Sequence, residues 1–202
     1  MNLIAVTNRS LCENDEDFFS RIDLLAERLR DGDSLILREK SLSLEDYLTL
    51  AKAVQKRFQN SKAALILHTY PEVSKALAVP KLHLPLPLLR QGKPDRVSCS
   101  ASVHSVEEAR EAERLGATFL IAGHIFQTDC KQGLDPRGLA FLKSVCESVS
   151  LPVYAIGGIT PERVPLVGEA GAAGVCVMSR FMVCEDLNEE IEAFHRALRN
   201  IP

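Results

Sequence analysis

The chain repeats one pattern eight times: a short apolar, β-branched run, then a longer stretch with helical spacing. The runs lie at 3–7, 34–38, 63–68, 81–84, 96–100, 119–122, 153–156 and 174–178. Each is too short for a helix and too continuously apolar for a strand with one wet face. Between them, 17–29 carries Phe18, Ile22, Leu25 and Leu29, and 44–58 carries Leu48, Ala51, Val54 and Phe58. The stretch 106–115 opens after Ser105, spaced to Glu108 as a capping box, and stops at Gly116. Helical spacing returns at 138–149, 162–170 and 187–198. Weaker helices fill 71–79 and 85–90, the second compromised by Pro85 and Pro87. Parallel neighbours need crossovers of this length, so the alternation calls for a parallel sheet. Eight units in 202 residues predict a compact (β/α)8 TIM barrel, a single domain over 1–202. A doubly wound open sheet is the alternative. It would more often place a glycine fingerprint after the first strand, where this chain has Thr7-Asn8-Arg9-Ser10.

Composition narrows the class. With 24 Lys and Arg against 27 Asp and Glu, the net charge is −3, which argues against a broad nucleic-acid surface. No apolar stretch approaches the roughly 18 residues of a membrane span, and the N-terminus lacks a basic region followed by a long apolar one. The six cysteines, Cys12, Cys99, Cys130, Cys146, Cys176 and Cys184, are scattered without a C-x-x-C pair. They read as thiols of a reducing cytosol, and the expected location is cytoplasmic. Cys130 stands apart because its surroundings are polar.

In such a barrel the active site lies at the C-terminal ends of the strands. Gly157-Gly158 follows the seventh run and Met178-Ser179-Arg180 ends and follows the eighth. Adjacent glycines let backbone N–H groups approach an anion, and barrels of this kind frequently bind phosphate at these two loops. A plain turn is the competing reading of the glycines. Arg38-Glu39-Lys40 follows the second run; by alternation Arg38 and Lys40 share one side, as an anion clamp would require. His124 follows Gly123 at the end of the sixth run, where an imidazole titrating near neutrality suits proton transfer. Next comes a polar loop containing Thr128, Cys130 and Lys131. His68 and His83 also sit near strand ends in weaker surroundings, while His104 and His195 read as structural or surface residues. No metal site and no cofactor motif stand out.

The motifs Leu37-Arg38-Glu39-Lys40, Ser102-Val103-His104-Ser105, Gly123-His124-Ile125-Phe126-Gln127-Thr128-Asp129-Cys130-Lys131, Ala155-Ile156-Gly157-Gly158-Ile159 and Val177-Met178-Ser179-Arg180 occur in this order. Together they resemble the thiamine phosphate synthase/TenI superfamily of barrels over nearly the whole chain. The synthase branch has Asn-Asp after the third strand and Asp after the fourth, to position Mg²⁺ and pyrophosphate. This chain has His68-Thr69 and a Pro/Leu stretch there, and its His124 and Cys130 resemble TenI, the thiazole tautomerase branch. The resemblance implies a cofactor-free isomerase acting on a small phosphorylated thiazole carboxylate in thiamin biosynthesis. His124 would be the catalytic acid/base. Arg38, Lys40, Ser102, Thr128 and Lys131 would contact the substrate, and Gly157, Gly158, Met178, Ser179 and Arg180 would hold its phosphate. Two alternatives stand beside it: a non-catalytic binding or regulatory protein of the same fold, and a thiamine-phosphate synthase releasing pyrophosphate from a pyrimidine pyrophosphate. Barrels of this kind are often homo-oligomers, and the sequence marks no interface.

Overall fold

A computed structural model describes residues 1–128 and 133–199; Cys130 and Lys131 lie outside the described residues. The apolar runs form eight strands: β1 (Asn2–Val6), β2 (Ser34–Leu37), β3 (Ala64–His68), β4 (Lys81–Pro85), β5 (Ser98–Val103), β6 (Leu120–Gly123), β7 (Val153–Ile156) and β8 (Gly174–Val177). They pair in sequence order, all parallel, and β8 returns to β1 to close the barrel. The expected (β/α)8 fold is therefore the observed one. Outside it run α1 (Asp15–Arg28), α2 (Leu44–Arg57), α3 (Pro71–Ala76), α4 (Leu86–Leu89), α5 (Val106–Arg114), α6 (Gly138–Ser148), α7 (Val164–Glu169), α8 (Ser179–Val183) and α9 (Leu187–Arg199).

Local sequence explains most of the boundaries. At the start of α5, Ser105 Oγ accepts the Glu108 N–H at 3.1 Å. The Glu108 carboxylate reaches back one residue further than a capping box requires, to the His104 N–H at 2.6 Å. The fifth strand is displaced from 96–100 to Ser98–Val103. Arg96 has a φ of 61°, which breaks extended pairing there, and the ladder with β4 continues to Pro85↔Ser102. Two segments carry no periodic signal because they are too short to show one: a 3-10 turn at Arg9–Leu11 and α8.

Alternation divides each strand between two cores. Leu3, Ala5, Leu35, Leu37, Leu67, Leu82, Ala101, Leu120, Ala155 and Val175 belong to the core shared with the helices. The opposite phase points into the barrel, where Ile4, Val6, Ile36, Ile66, Ile121 and Cys176 pack with Tyr154, Ile156 and Met178. On β3 to β5 the same inward phase becomes polar: His68, His83, Ser100 and Ser102. The barrel interior is thus apolar on one side and hydrogen-bonding on the other, toward its C-terminal mouth.

The opposite end is tied by Asp33, which is buried just before β2. Its carboxylate accepts the Leu3 N–H at 2.9 Å, the Arg30 N–H at 2.9 Å and His195 Nε2 of α9 at 2.8 Å. One group therefore joins β1, the entry to β2 and the last helix. Replacing Asp33 with Ala strands a buried backbone donor and an imidazole, and should cost about 2–4 kcal/mol. Urea denaturation checks this; a loss under about 0.5 kcal/mol would remove Asp33 from the closure of the fold.

Candidate functional site

The exit of β2 is built around a hydroxyl. Thr7 is fully buried and follows β1 on the helix-facing phase. Its Oγ1 donates to Glu39 Oε1 at 2.6 Å and accepts the Arg38 N–H at 2.9 Å. The Glu39 carboxylate also accepts the Arg9 N–H at 3.0 and 3.1 Å. Burial pushes the Glu39 carboxyl up, against the opposing pull of these hydrogen bonds. Glu39 takes the outer phase with Thr7, which leaves Arg38 on the phase of Ile36, as alternation predicts. The Arg38 guanidinium reaches the sulfur of Met178 at 3.7 Å.

That contact joins β2 to the segment after β8. Met178 stands at the N-terminus of α8, and Ser179 and Arg180 form its first turn. The Arg180 guanidinium holds Glu190 of α9 through Nε and Nη2 at 2.6 and 3.0 Å. Beside them, Gly157 and Gly158 have φ values of 100° and 64°, which disfavour any residue with a Cβ. A Cβ on Gly157 would fall 2.3 Å from His124 Cβ, and one on Gly158 would fall 2.3 Å from the Gln127 carbonyl oxygen. The pair is therefore also a packing requirement: the 124–127 segment lies on it, with the Ile125 and Phe126 N–H groups donating to the Ile156 and Gly157 carbonyls. Arg163 braces the turn, donating to the Gly158 carbonyl at 2.6 Å while its guanidinium covers Phe126.

The other side of the mouth is a neutral hydrogen-bonding wall. His68 and His83 are register partners stacked with ring centroids 5.4 Å apart. His83 bonds Ser100 Oγ through Nδ1 and Ser102 Oγ through Nε2, each at 2.8 Å. His68 Nδ1 bonds Thr69 Oγ1. Burial, then the nearby cations Arg38 and Lys40, push His83 down to about 3. Burial, His83 and the same cations push His68 down to about 2. A cavity of about 280 Å³ opens here, lined by Glu39, Lys40, His68, Thr69, Tyr70 and Pro85. Behind it, the buried Tyr47 hydroxyl donates to the Leu37 carbonyl at 2.7 Å and accepts the His68 N–H at 2.8 Å, fixing the ends of β2 and β3 together.

His124 is half-buried beyond β6, with Nε2 3.3 Å from the Leu134 carbonyl oxygen. Its neighbour His104 holds the Gly123 carbonyl through Nδ1 at 2.8 Å, the structural role its sequence position suggested. Thr128 is half-buried on the same loop, and Ser102 belongs to the His83 wall. The structure thus gathers Arg38, Lys40, Met178, Ser179 and Ser102 at one end of the barrel. Sequence reasoning undervalued His68 and His83. Their signal was available as two histidines in like positions on adjacent strands, followed by serines at alternate positions of β5.

The histidine wall gives a pH dependence of defined sign. Unfolded imidazoles take up protons near 6.5, whereas the folded ones do so only near 3 and 2. Between those values the unfolded state binds more protons, so this contribution is complete above pH 6.5 and is lost as pH falls. The limiting slope is about 1.4 kcal/mol per pH unit for each imidazole. Urea titrations from pH 7.5 to 4.5 should show a steeper fall for the native chain than for the His68→Gln/His83→Gln variant. Equal slopes would contradict the wall.

Comparison with known proteins places this geometry. The family model described as thiamine monophosphate synthase matches residues 3–181. The chain is 32% identical to thiamine-phosphate synthase 2 of Streptococcus pneumoniae, over 100% of this chain and 97% of that protein. It is 31% identical to the thiamine-phosphate synthase of Syntrophomonas wolfei, over 99% and 95%. Among solved structures, a thiamine phosphate pyrophosphorylase from Pyrococcus furiosus superposes with a TM-score of 0.81 at 25% identity, covering 99% of this chain and 96% of that one. These similarities overturn the expectation of a thiazole tautomerase and isomerase. That expectation rested on His124 and on the residues after β3 and β4, whereas relatives named as synthases match along the full length. The short motif was given more weight than the chain as a whole supports. The chain belongs to the thiamine phosphate synthase/TenI superfamily.

Proposed function

We propose that the protein is a transferase of the thiamine-phosphate synthase type, joining a phosphorylated thiazole to a pyrimidine that carries a diphosphate and releasing pyrophosphate. One observation carries the proposal beyond the relatives' names. The Arg38–Met178 contact makes the cationic exit of β2 and the segment after β8 one continuous surface. Two phosphorylated groups need two neighbouring anion sites, and the adjacency of these two segments supports that reading.

In this reading Gly157, Gly158, Met178, Ser179 and Arg180 hold the thiazole phosphate, chiefly through backbone N–H groups. Arg38 and Lys40 face the diphosphate. Positive charge aimed at a departing diphosphate stabilises the charge that develops on it, and in a partly closed mouth that stabilisation exceeds its value in water. Holding both phosphates away from the reacting atoms also orients the two rings. Ser102, Thr128, Lys131 and His124 complete the substrate-contacting set, Lys131 by its place in the sequence alone.

The residues at the ends of β3 and β4 do not fit a metal-bound diphosphate. The donors offered are His68 and His83, three of whose ring nitrogens already bond hydroxyls. The cations Arg38 and Lys40 act on both rings, and Glu39 is bonded to Thr7 and Arg9. No group of three His, Cys, Asp or Glu suited to a metal occurs among the described residues. This same wall favours a second reading, a protein that binds the phosphorylated ligand without turning it over.

Incubation with thiazole phosphate and pyrimidine diphosphate separates the two. We expect pyrophosphate release, with kcat/KM lowered about 10–100-fold by Arg38→Ala or Lys40→Ala. Tight binding of thiazole phosphate with no pyrophosphate released would establish the second reading instead.

A further inference from the structure

We propose that Glu39 is a positioning residue: through Thr7 it sets the backbone from which Arg38 and Lys40 reach the anion. This rests on the reading of Arg38 and Lys40 given above. A carboxylate between two cations at an anion site is electrostatically unfavourable to the ligand, so its presence calls for another explanation. Glu39 is 5% exposed, and Thr7 is 0% exposed. A buried carboxylate is tolerated only when its acceptor sites are filled. Here both oxygens are hydrogen-bonded from the exit of β1, by the Thr7 hydroxyl at 2.6 Å and the Arg9 N–H at 3.0 and 3.1 Å.

With Glu39 ionised, the polarity of this network has one solution. An ionised carboxylate only accepts, so Thr7 must give it its single proton. The Thr7 oxygen is then left as an acceptor, and it faces the Arg38 N–H at 2.9 Å. Arg38 and Glu39 are adjacent in sequence, so the two bonds close a small ring across the ends of β1 and β2. The ring fixes Glu39 outward and so fixes Arg38 toward the mouth, where its guanidinium meets Met178. Lys40, one residue on, lines the same cavity as Glu39. The Thr7 N–H donates to the Ile36 carbonyl at 3.0 Å and the Tyr47 hydroxyl holds that of Leu37. Two consecutive peptide groups, 36–37 and 37–38, are thus held where the chain enters the cationic residues. Loss of Glu39 frees the Thr7 hydroxyl to rotate and removes its reason to face Arg38.

The test uses two readouts on the full chain: hydrogen exchange at the Arg38 amide, and calorimetric binding of inorganic pyrophosphate. Glu39→Ala should speed Arg38 exchange and weaken pyrophosphate binding, each about tenfold. Thr7→Val, which keeps the carboxylate but removes the hydroxyl, should do the same and serves if Glu39→Ala folds poorly. Glu39→Gln retains an acceptor for Thr7 and Arg9 and removes the opposing charge, so it should restore both readouts to the native level or better. Unchanged Arg38 exchange in Glu39→Ala and Thr7→Val would overturn the proposal. So would a Glu39→Gln variant that loses pyrophosphate as Glu39→Ala does, because the charge itself would then be what matters. The Arg38→Ala/Lys40→Ala variant separates the two levels. If it binds pyrophosphate like the native chain, the anion-site reading fails, while the exchange data still decide what Glu39 does to the backbone.

Discussion

The β1–β8 ladder closes the sheet, and the mouth exists because of it. Asn2 to Ala5 pair with Gly174 to Val177 in unbroken register. Closure requires that residue 174 have no side chain: a Cβ there would fall 2.2 Å from the Asn2 carbonyl oxygen and 2.6 Å from the Tyr154 ring. The inward space that Gly174 leaves is taken by Tyr154, which packs with Ile4, Val6, Ile36 and Cys176 inside the barrel. With β1 between β2 and β8, residues 140 positions apart come into contact as Arg38 and Met178. An open sheet would leave these ends at opposite edges.

Within that frame the two sides of the mouth have different chemistry. Around β1, β2 and β8, an apolar floor is topped by cations and backbone N–H groups, which suits anions. Around β3 to β5, two neutral imidazoles and two serine hydroxyls form the wall, which suits an uncharged hydrogen-bonding ring better than a metal ion. The two sides are linked electrostatically, since Arg38 and Lys40 help keep His68 and His83 uncharged. The same cations thus favour an anion and disfavour protonation of the wall opposite.

Most of the architecture was legible because each strand is covered on both faces. Continuous apolar runs such as Leu35-Ile36-Leu37 announce a buried strand by their length and bounds, and leave its register open. The signal fails where a segment spans little more than one turn, as in α8, or where a φ of 61° at Arg96 delays the start of a strand. The residues proposed to meet anions could be placed at the mouth through the rule that chemistry sits at strand ends. What that rule hides is the support beneath them. Thr7 and Glu39 meet across 32 positions, and nothing local to either predicts the pairing. The double duty of Gly157 and Gly158 was equally hidden, because their contact with His124 and Gln127 depends on how the sixth connection folds back. His124 illustrates the opposite error. A chemically versatile side chain at a strand end suggested an isomerase, where similarity along the whole chain points to transfer.

A crystal structure grown with thiazole phosphate and inorganic pyrophosphate together would show whether one mouth holds two adjacent anion sites. We expect one anion against the backbone of Gly157, Gly158 and Ser179, and the other against Arg38 and Lys40, in the same barrel mouth. A phosphate bound elsewhere on the barrel, or a pyrophosphate that avoids Arg38 and Lys40, would contradict it.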